Sequence, residues 1–229
     1  MNVITVASRK GGAGKTTLCA HLAAMAQSRG YKCQVIDGDP QGSLALCNRL
    51  RADAALPFAT AERGIDRALA MAQVAGADYV FIDTSPTMWV VVQEAIRAAT
   101  LLLIPARPGF LDLDAVRDTV KCARERNRPY AVVLNACPVK RDEREAPAVA
   151  QARAYLDREG IPVFAGQVSH RAAFSLTLAA GASAGEADAA SLAAAEIGKL
   201  WSAVEKSVAA INAARVAAAA AAGVKGQAA

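Results

Sequence analysis

The chain has 229 residues, a formal net charge of +5 at pH 7 and a hydrophobic fraction of 54%, the last raised by its many alanines. That length suits a single domain with a sizeable core, and the modest positive balance permits contact with an anionic polymer without establishing it. No uncharged apolar run reaches the ~18 residues of a membrane span and no basic segment leads into an apolar one near Met1, so neither a span nor a secretory signal is expected.

In chain order, Met1 to Ala7 reads as a buried strand, and Lys15 to Ser28 as a helix with Leu18, Leu22 and Met25 at helical spacing. Lys32 to Asp37 reads as a strand, Gly42 to Leu50 as a short helix, Pro57 to Thr60 as a minor strand and Ile65 to Val74 as a helix. The run Tyr79 to Asp83 is apolar until its last residue, as expected of a strand buried on both faces. Helix Trp89 to Ala98, strand Leu101 to Ile104, helix Asp112 to Arg126, strand Tyr130 to Asn135, helix Ala146 to Glu159 and strand Pro162 to Ala165 follow. Two final helices are expected over Ala172 to Ala180 and Ala187 to Ala214. Such alternation predicts an α/β fold: a doubly wound, mostly parallel sheet with helices on both faces. One domain is expected over 1–215, with an alanine-rich tail over 216–229 that either extends the last helix or frays.

The five cysteines, Cys19, Cys33, Cys47, Cys122 and Cys137, are scattered and free of Cys-x-x-Cys spacing. They read as small buried hydrophobes in a reducing cytoplasm.

The chemistry concentrates after the first strand, in Arg9-Lys10-Gly11-Gly12-Ala13-Gly14-Lys15-Thr16-Thr17. An ordinary phosphate-binding loop has glycine where Arg9 stands, so that pattern fails, and a second lysine precedes a Gly-Gly pair. Strand, glycine loop, Lys-Thr and helix nevertheless occur together. The glycines let backbone N–H groups approach a phosphate, and the helix N-terminus adds its own donors. In this reading Lys15 reaches the β- and γ-phosphates and Thr16 ligates Mg²⁺. Asp37 and Asp39 stand at the end of the second strand, and Asp83 at the end of the Tyr79 strand. A lone strand-end Asp commonly caps the next helix. Three of them, in Gly- or Pro-bearing loops behind a phosphate loop, point to carboxylates around a nucleotide-bound cation and an attacking water.

On these residues the chain resembles the ParA/MinD ATPases. Lys10 to Thr17 is similar to their deviant Walker A motif, Asp37 to Ser43 to their first switch, and Phe81 to Pro86 to their Walker B and second switch. The resemblance continues through Leu103-Ile104-Pro105, Asn135 and Ser169 to Gly181, and the compact length resembles the small plasmid-type ParA partition proteins. It implies ATP and Mg²⁺ as cofactors and contacts from Lys10, Gly11, Gly12, Ala13, Gly14, Lys15, Thr16 and Thr17. Lys10 would cross a dimer interface to the other subunit's phosphates, Lys15 would serve its own subunit and Thr17 would meet the α-phosphate. Thr16, Asp37 and Asp83 would hold the Mg²⁺ shell, Asp39 would orient water, Asn135 would face adenine, and Arg171 would lie near a DNA-binding surface or be a solvated helix-start arginine. The implied protein is a cytoplasmic, nucleoid-associated ATPase that dimerises with ATP, binds DNA without sequence preference and answers to a ParB-like or other adaptor. Its cargo would be plasmid or chromosomal DNA or, alternatively, a chemoreceptor cluster, conjugation complex or microcompartment.

Three relatives of the same loop fit less well. An iron-protein reductase needs a cluster cysteine just past Walker B, and none stands between Cys47 and Cys122. A MinD-type membrane anchor needs bulky apolar residues that the alanine tail lacks. A kinase tail needs tyrosines beyond Tyr155. The Met88-Trp89 pair, where many family members carry a Pro-Pro-Gly run, reads as core or dimer packing.

Overall fold

A computed structural model describes residues 1–51, 55–142 and 144–226. Among the described residues, six strands form one parallel sheet: β1 (Asn2–Val6), β2 (Cys33–Gly38), β3 (Phe58–Thr60), β4 (Tyr79–Thr84), β5 (Leu101–Ala106) and β6 (Tyr130–Leu134), in the order β3-β2-β4-β1-β5-β6. Every residue of β2, β4 and β5 is buried, which is why these strands read as continuous apolar runs.

The helices are α1 (Lys15–Ser28), α2 (Ser43–Leu50), α3 (Ile65–Val74), α4 (Trp89–Ala98), α5 (Phe110–Glu125), α6 (Pro147–Arg158), α7 (Ala172–Ala179), α8 (Ala184–Ala187) and α9 (Leu192–Gly226). The period of two along each strand sends alternate side chains to opposite faces. Ile4, Val6, Tyr79, Phe81, Leu101 and Leu103 meet α1 and α9, around the fully buried Trp201. Leu102 and Ile104 meet α4, α5 and α6, while Val80 and Ile82 meet α3 and α4. The sheet is therefore wrapped on both sides, as the alternation of elements predicts.

His21 fastens α1 to the C-terminal helices. Its Nδ1 accepts from the Ala184 N–H at 3.2 Å, so Nε2 carries the proton and donates to the Phe174 carbonyl at 3.1 Å. Burial lowers its pKa to about 4, with Arg51 lowering it further and the Phe174 bond and Glu186 opposing, and the ring is neutral in the folded protein at pH 7.

Three expectations change. Pro162 to Ala165 is not a strand: Val163 makes one isolated parallel bridge to Val132 and the segment then leaves the ladder. Pro162 brings no N–H of its own, and the chain covers the β6 edge as an irregular strap. β5 runs past Ile104 through Pro105 to Ala106. Its pairing with β1 ends at Leu103, so the proline's missing donor faces no strand. The last expected helix starts at Leu192 rather than Ala187, and the short α8 ahead of it answers to no expected element. Ser183 and Glu186 form a reciprocal capping box that opens α8, Asp188 is extended beyond its end, and the Ser191 hydroxyl accepts from the Ala194 N–H at the start of α9. Helix α9 itself continues past residue 216 to Gly226, and residues 227–229 lie outside the described residues. Among the described residues no helix is long and apolar enough to cross a membrane.

Candidate active site

The parallel sheet places the ends of β1, β2 and β4 side by side, with Val6 in register with Asp83 and Asp37 in register with Asp83. The turn after β1 and the acids after β2 and β4 thereby become neighbours, at the carboxyl edge where such sheets bind ligands. The Thr16 hydroxyl, in the first turn of α1, donates to Asp83 Oδ2 at 2.5 Å. The Thr84 N–H donates to Asp83 Oδ1 at 2.9 Å, and the Thr84 hydroxyl returns to the Val6 carbonyl at 3.0 Å. This closes the loop between β1 and β4.

Asp37 is buried. It accepts from the Asp39 N–H at 2.9 Å and from the Ala45 N–H of α2 at 3.0 Å, so it also fastens the helix that follows. Asp39 stands further out, accepting from the Gln41 N–H at 3.0 Å. Lys15 is buried, and its ammonium donates to the Lys10 carbonyl at 3.2 Å. Burial lowers the Lys15 pKa, with Asp83 and Asp39 opposing. Burial raises Asp37, against the hydrogen bonds from Asp39 and Ala45. Asp83 is pushed up to about 7, chiefly by burial, with the Thr16 hydrogen bond and Lys15 pulling down and the Asp37 charge pushing up.

These carboxyls are under-compensated by the protein alone, and their neighbours are oxygen donors. That chemistry suits a hard divalent cation such as Mg²⁺. Among the described residues no group of three or more His, Cys, Asp or Glu forms a ready-made metal cage. Mg²⁺ usually takes one or two carboxylates and completes its shell with water and phosphate oxygens, so the donor set fits an ion arriving with a nucleotide.

The loop itself is held by side chains from further along the chain. Asn135, just past β6, donates from Nδ2 to the Ala13 carbonyl at 2.7 Å. Its amide thus lies on the loop, whatever base lies beyond it. Gly14 has φ +91, and a Cβ there would come 2.1 Å from Asn135 Nδ2. Only glycine fits. Arg107 donates to the Gly12 carbonyl at 2.8 Å. Arg9, which breaks the ordinary loop pattern, pairs with Asp118 of α5 at 2.6 Å, and its guanidinium carbon lies 5.3 Å from the centre of the Trp89 ring. Trp89 packs against the core while Met88 is exposed. Neither Arg107 nor the Arg9 partners were legible. Arg107 carries one usable signal, a cation immediately after a buried strand. Thr17 is half-buried beside Thr16, and Gly11 and Gly12 are exposed at the loop tip. Arg171 lies apart from the site. Its guanidinium reaches Glu196 of α9 at 2.9 Å and is largely buried there.

Residues 4–184 match the family model described as the CobQ/CobB/MinD/ParA nucleotide binding domain. The "Maintenance of carboxysome distribution protein A" of Gloeobacter kilaueensis is 32% identical over 165 residues, covering 71% of this chain and 74% of that protein. Among solved structures, the apo McdA of Cyanothece superposes with a TM-score of 0.71 at 18% identity, covering 91% of this chain and 99% of that one. The septum site-determining protein MinD of Pyrococcus horikoshii, solved with Mg-ADP, gives 0.69 at 18% identity, covering 90% and 96%. At such identities the structures speak for the fold alone.

Proposed function

The chain belongs to the CobQ/CobB/MinD/ParA nucleotide-binding family, and from that premise we propose that it is an Mg²⁺-dependent ATPase whose ATP-bound form is a DNA-associated dimer that positions a cargo. The observation that carries the enzymatic part is the 2.5 Å contact between Thr16 and Asp83, which joins the loop helix to the acid of β4 beside Asp37 and Asp39.

In this reading the triphosphate settles over Gly11 to Thr17, and Lys15 exchanges the Lys10 carbonyl for phosphate oxygens. Lys10 extends across the interface to the nucleotide of a second subunit, so closure depends on the γ-phosphate. Asp39, the outermost acid, orients water toward the γ-phosphorus. Magnesium, when bound, would supply positive charge that offsets the negative charge developing in the transition state. Thr16, Asp37 and Asp83 would hold it, directly or through water.

Scattering mass measurements should give a dimer with ATP and a monomer with ADP. Lys10→Ala should weaken the ATP dimer at least about tenfold while keeping ATP binding; a parent-like dimer in that variant would overturn the interface role. Asp39→Ala should keep ATP affinity and slow hydrolysis about 100-fold or more. Phosphate release at the parent rate would remove Asp39 from the mechanism.

DNA association is the finer part of the proposal, carried by pooled Lys and Arg rather than by one residue, and it should weaken steeply with salt. Arg171 contributes only if it leaves Glu196. For the cargo, the carboxysome-distribution name of the Gloeobacter relative favours a protein-bounded body over plasmid or chromosomal DNA. Two assays decide between them: ATP-dependent pulldown of a shell or adaptor protein supports the first, and plasmid loss on deletion supports the second.

A further inference from the structure

The loop offers three carbonyls that are each taken by a side-chain donor: Lys10 by Lys15, Gly12 by Arg107 and Ala13 by Asn135. The last two donors occupy equivalent places. Ala106 and Leu134 are in register as the last residues of β5 and β6, and Arg107 and Asn135 are the residues that follow each. The Asn135 N–H also donates to the Ala106 carbonyl at 2.8 Å, which locks the two strand exits together. Neighbouring strands thus send one donor apiece to consecutive carbonyls of the loop.

A phosphate is attracted by N–H groups and repelled by carbonyl oxygens. A loop that must offer its amides has to keep its carbonyls elsewhere, and a flexible Gly-Gly-Ala-Gly run does not do this by itself. Lys15 cannot serve permanently, because it is needed at the phosphates. Arg107 and Asn135 can. A Cβ on Gly12 would sit 3.5 Å from the Arg107 guanidinium, so the side chain lies directly on the loop. Arg107 is exposed and bears no salt bridge among the described residues.

We propose that Arg107 is a positioning residue that holds the phosphate loop open for nucleotide by capping the Gly12 carbonyl, acting as a hydrogen-bond donor rather than as a phosphate contact. The assignment rests on the nucleotide-binding reading for its purpose, and its test has one arm that does not.

In nucleotide-free protein, ¹⁵N relaxation at Gly11, Gly12 and Gly14 should report greater mobility in Arg107→Ala than in the parent. Titrations with Mg·ADP and Mg·ATP should both weaken, by about five- to tenfold, the scale of one exposed charge-assisted hydrogen bond. The ratio of ATP to ADP affinity should stay constant, and Arg107→Gln, a neutral donor, should recover most of the loss. Three results would overturn the assignment: unchanged loop mobility in Arg107→Ala; selective loss of ATP over ADP; or rescue by Arg107→Lys without rescue by Arg107→Gln, which marks a charge contact to phosphate. Should the parent bind neither nucleotide, the ATPase reading falls, and relaxation alone decides whether Arg107 orders the loop.

Discussion

Gly14→Ala protein is expected to lose measurable ATP binding and about 2–4 kcal/mol of stability. Gly14 has φ +91, where an L side chain costs roughly 1–2 kcal/mol. A Cβ there would come 2.1 Å from Asn135 Nδ2, so Asn135 must withdraw and give up its bond to the Ala13 carbonyl. Leaving that buried pair unmade costs about 1 kcal/mol or more. Both errors fall at the residue that opens α1, between the loop and Lys15. Thermal melts should fall by about 2–4 °C per kcal/mol for a domain of this size. Gly11→Ala is the matched control: its φ lies outside the left-handed region and nothing stands within 4 Å of the added carbon, so its melt should match the parent. Truncating Asn135 as well (Gly14→Ala with Asn135→Ala) should remove the clash and leave the backbone strain. A Gly14→Ala protein that bound ATP normally would show that the loop rearranges on binding.

Asp83→Asn is expected to abolish hydrolysis yet raise the stability of nucleotide-free, chelator-treated protein at pH 8. The carboxyl is fully buried and titrates near 7 in the folded chain, against an ordinary 3.8. At pH 8 it is ionised in both states, and the folded state bears the difference, up to about 4 kcal/mol. Asparagine removes the charge and keeps the geometry: its oxygen accepts from the Thr84 N–H, and its NH₂ donates to the Thr16 hydroxyl, which turns from donor to acceptor. The sign follows from a raised folded pKa. As pH falls through 7 the parent takes up a proton and loses its handicap, so the gain in Asp83→Asn is full above pH 7 and shrinks toward pH 4. Urea melts at pH 8 and pH 5 would show this; an equal gain at both, or none at pH 8, contradicts it. On the proposed reading, the buried charge is a cost the free protein bears for a cation that arrives with nucleotide.

The residues that form the floor of the site were legible because each sits in a local pattern. Lys10 to Thr17 lie in one turn between strand and helix, and Asp37, Asp39 and Asp83 follow apolar strands directly. Pro105 hid the end of β5, since a proline reads as a break unless the neighbouring strand has already stopped. Ser183 and Glu186 carried a capping signal that the surrounding alanines masked. How the loop is held from outside was far less legible: Asn135 is named only through the family resemblance, and Arg107 not at all. Arg107 meets Gly12 across 95 positions and Asn135 meets Ala13 across 122, and only strand order and register bring them together. Arg171 shows the same limit from the other side: no local pattern foretells that its charge is taken by Glu196.

The strand order also constrains how the chain comes to life. β4 lies between β1 and β2, although it is made after both, and the Thr84 hydroxyl must find the Val6 carbonyl across 78 positions. The early part of the chain must therefore keep a gap in its sheet until the middle of the sheet arrives, and such distant pairing is slow. Asp83 arrives with β4, so the Thr16–Asp83 contact cannot form before that strand is in place. In a refolding experiment, nucleotide capture is therefore expected to lag until the central strand is inserted, and so to time that insertion.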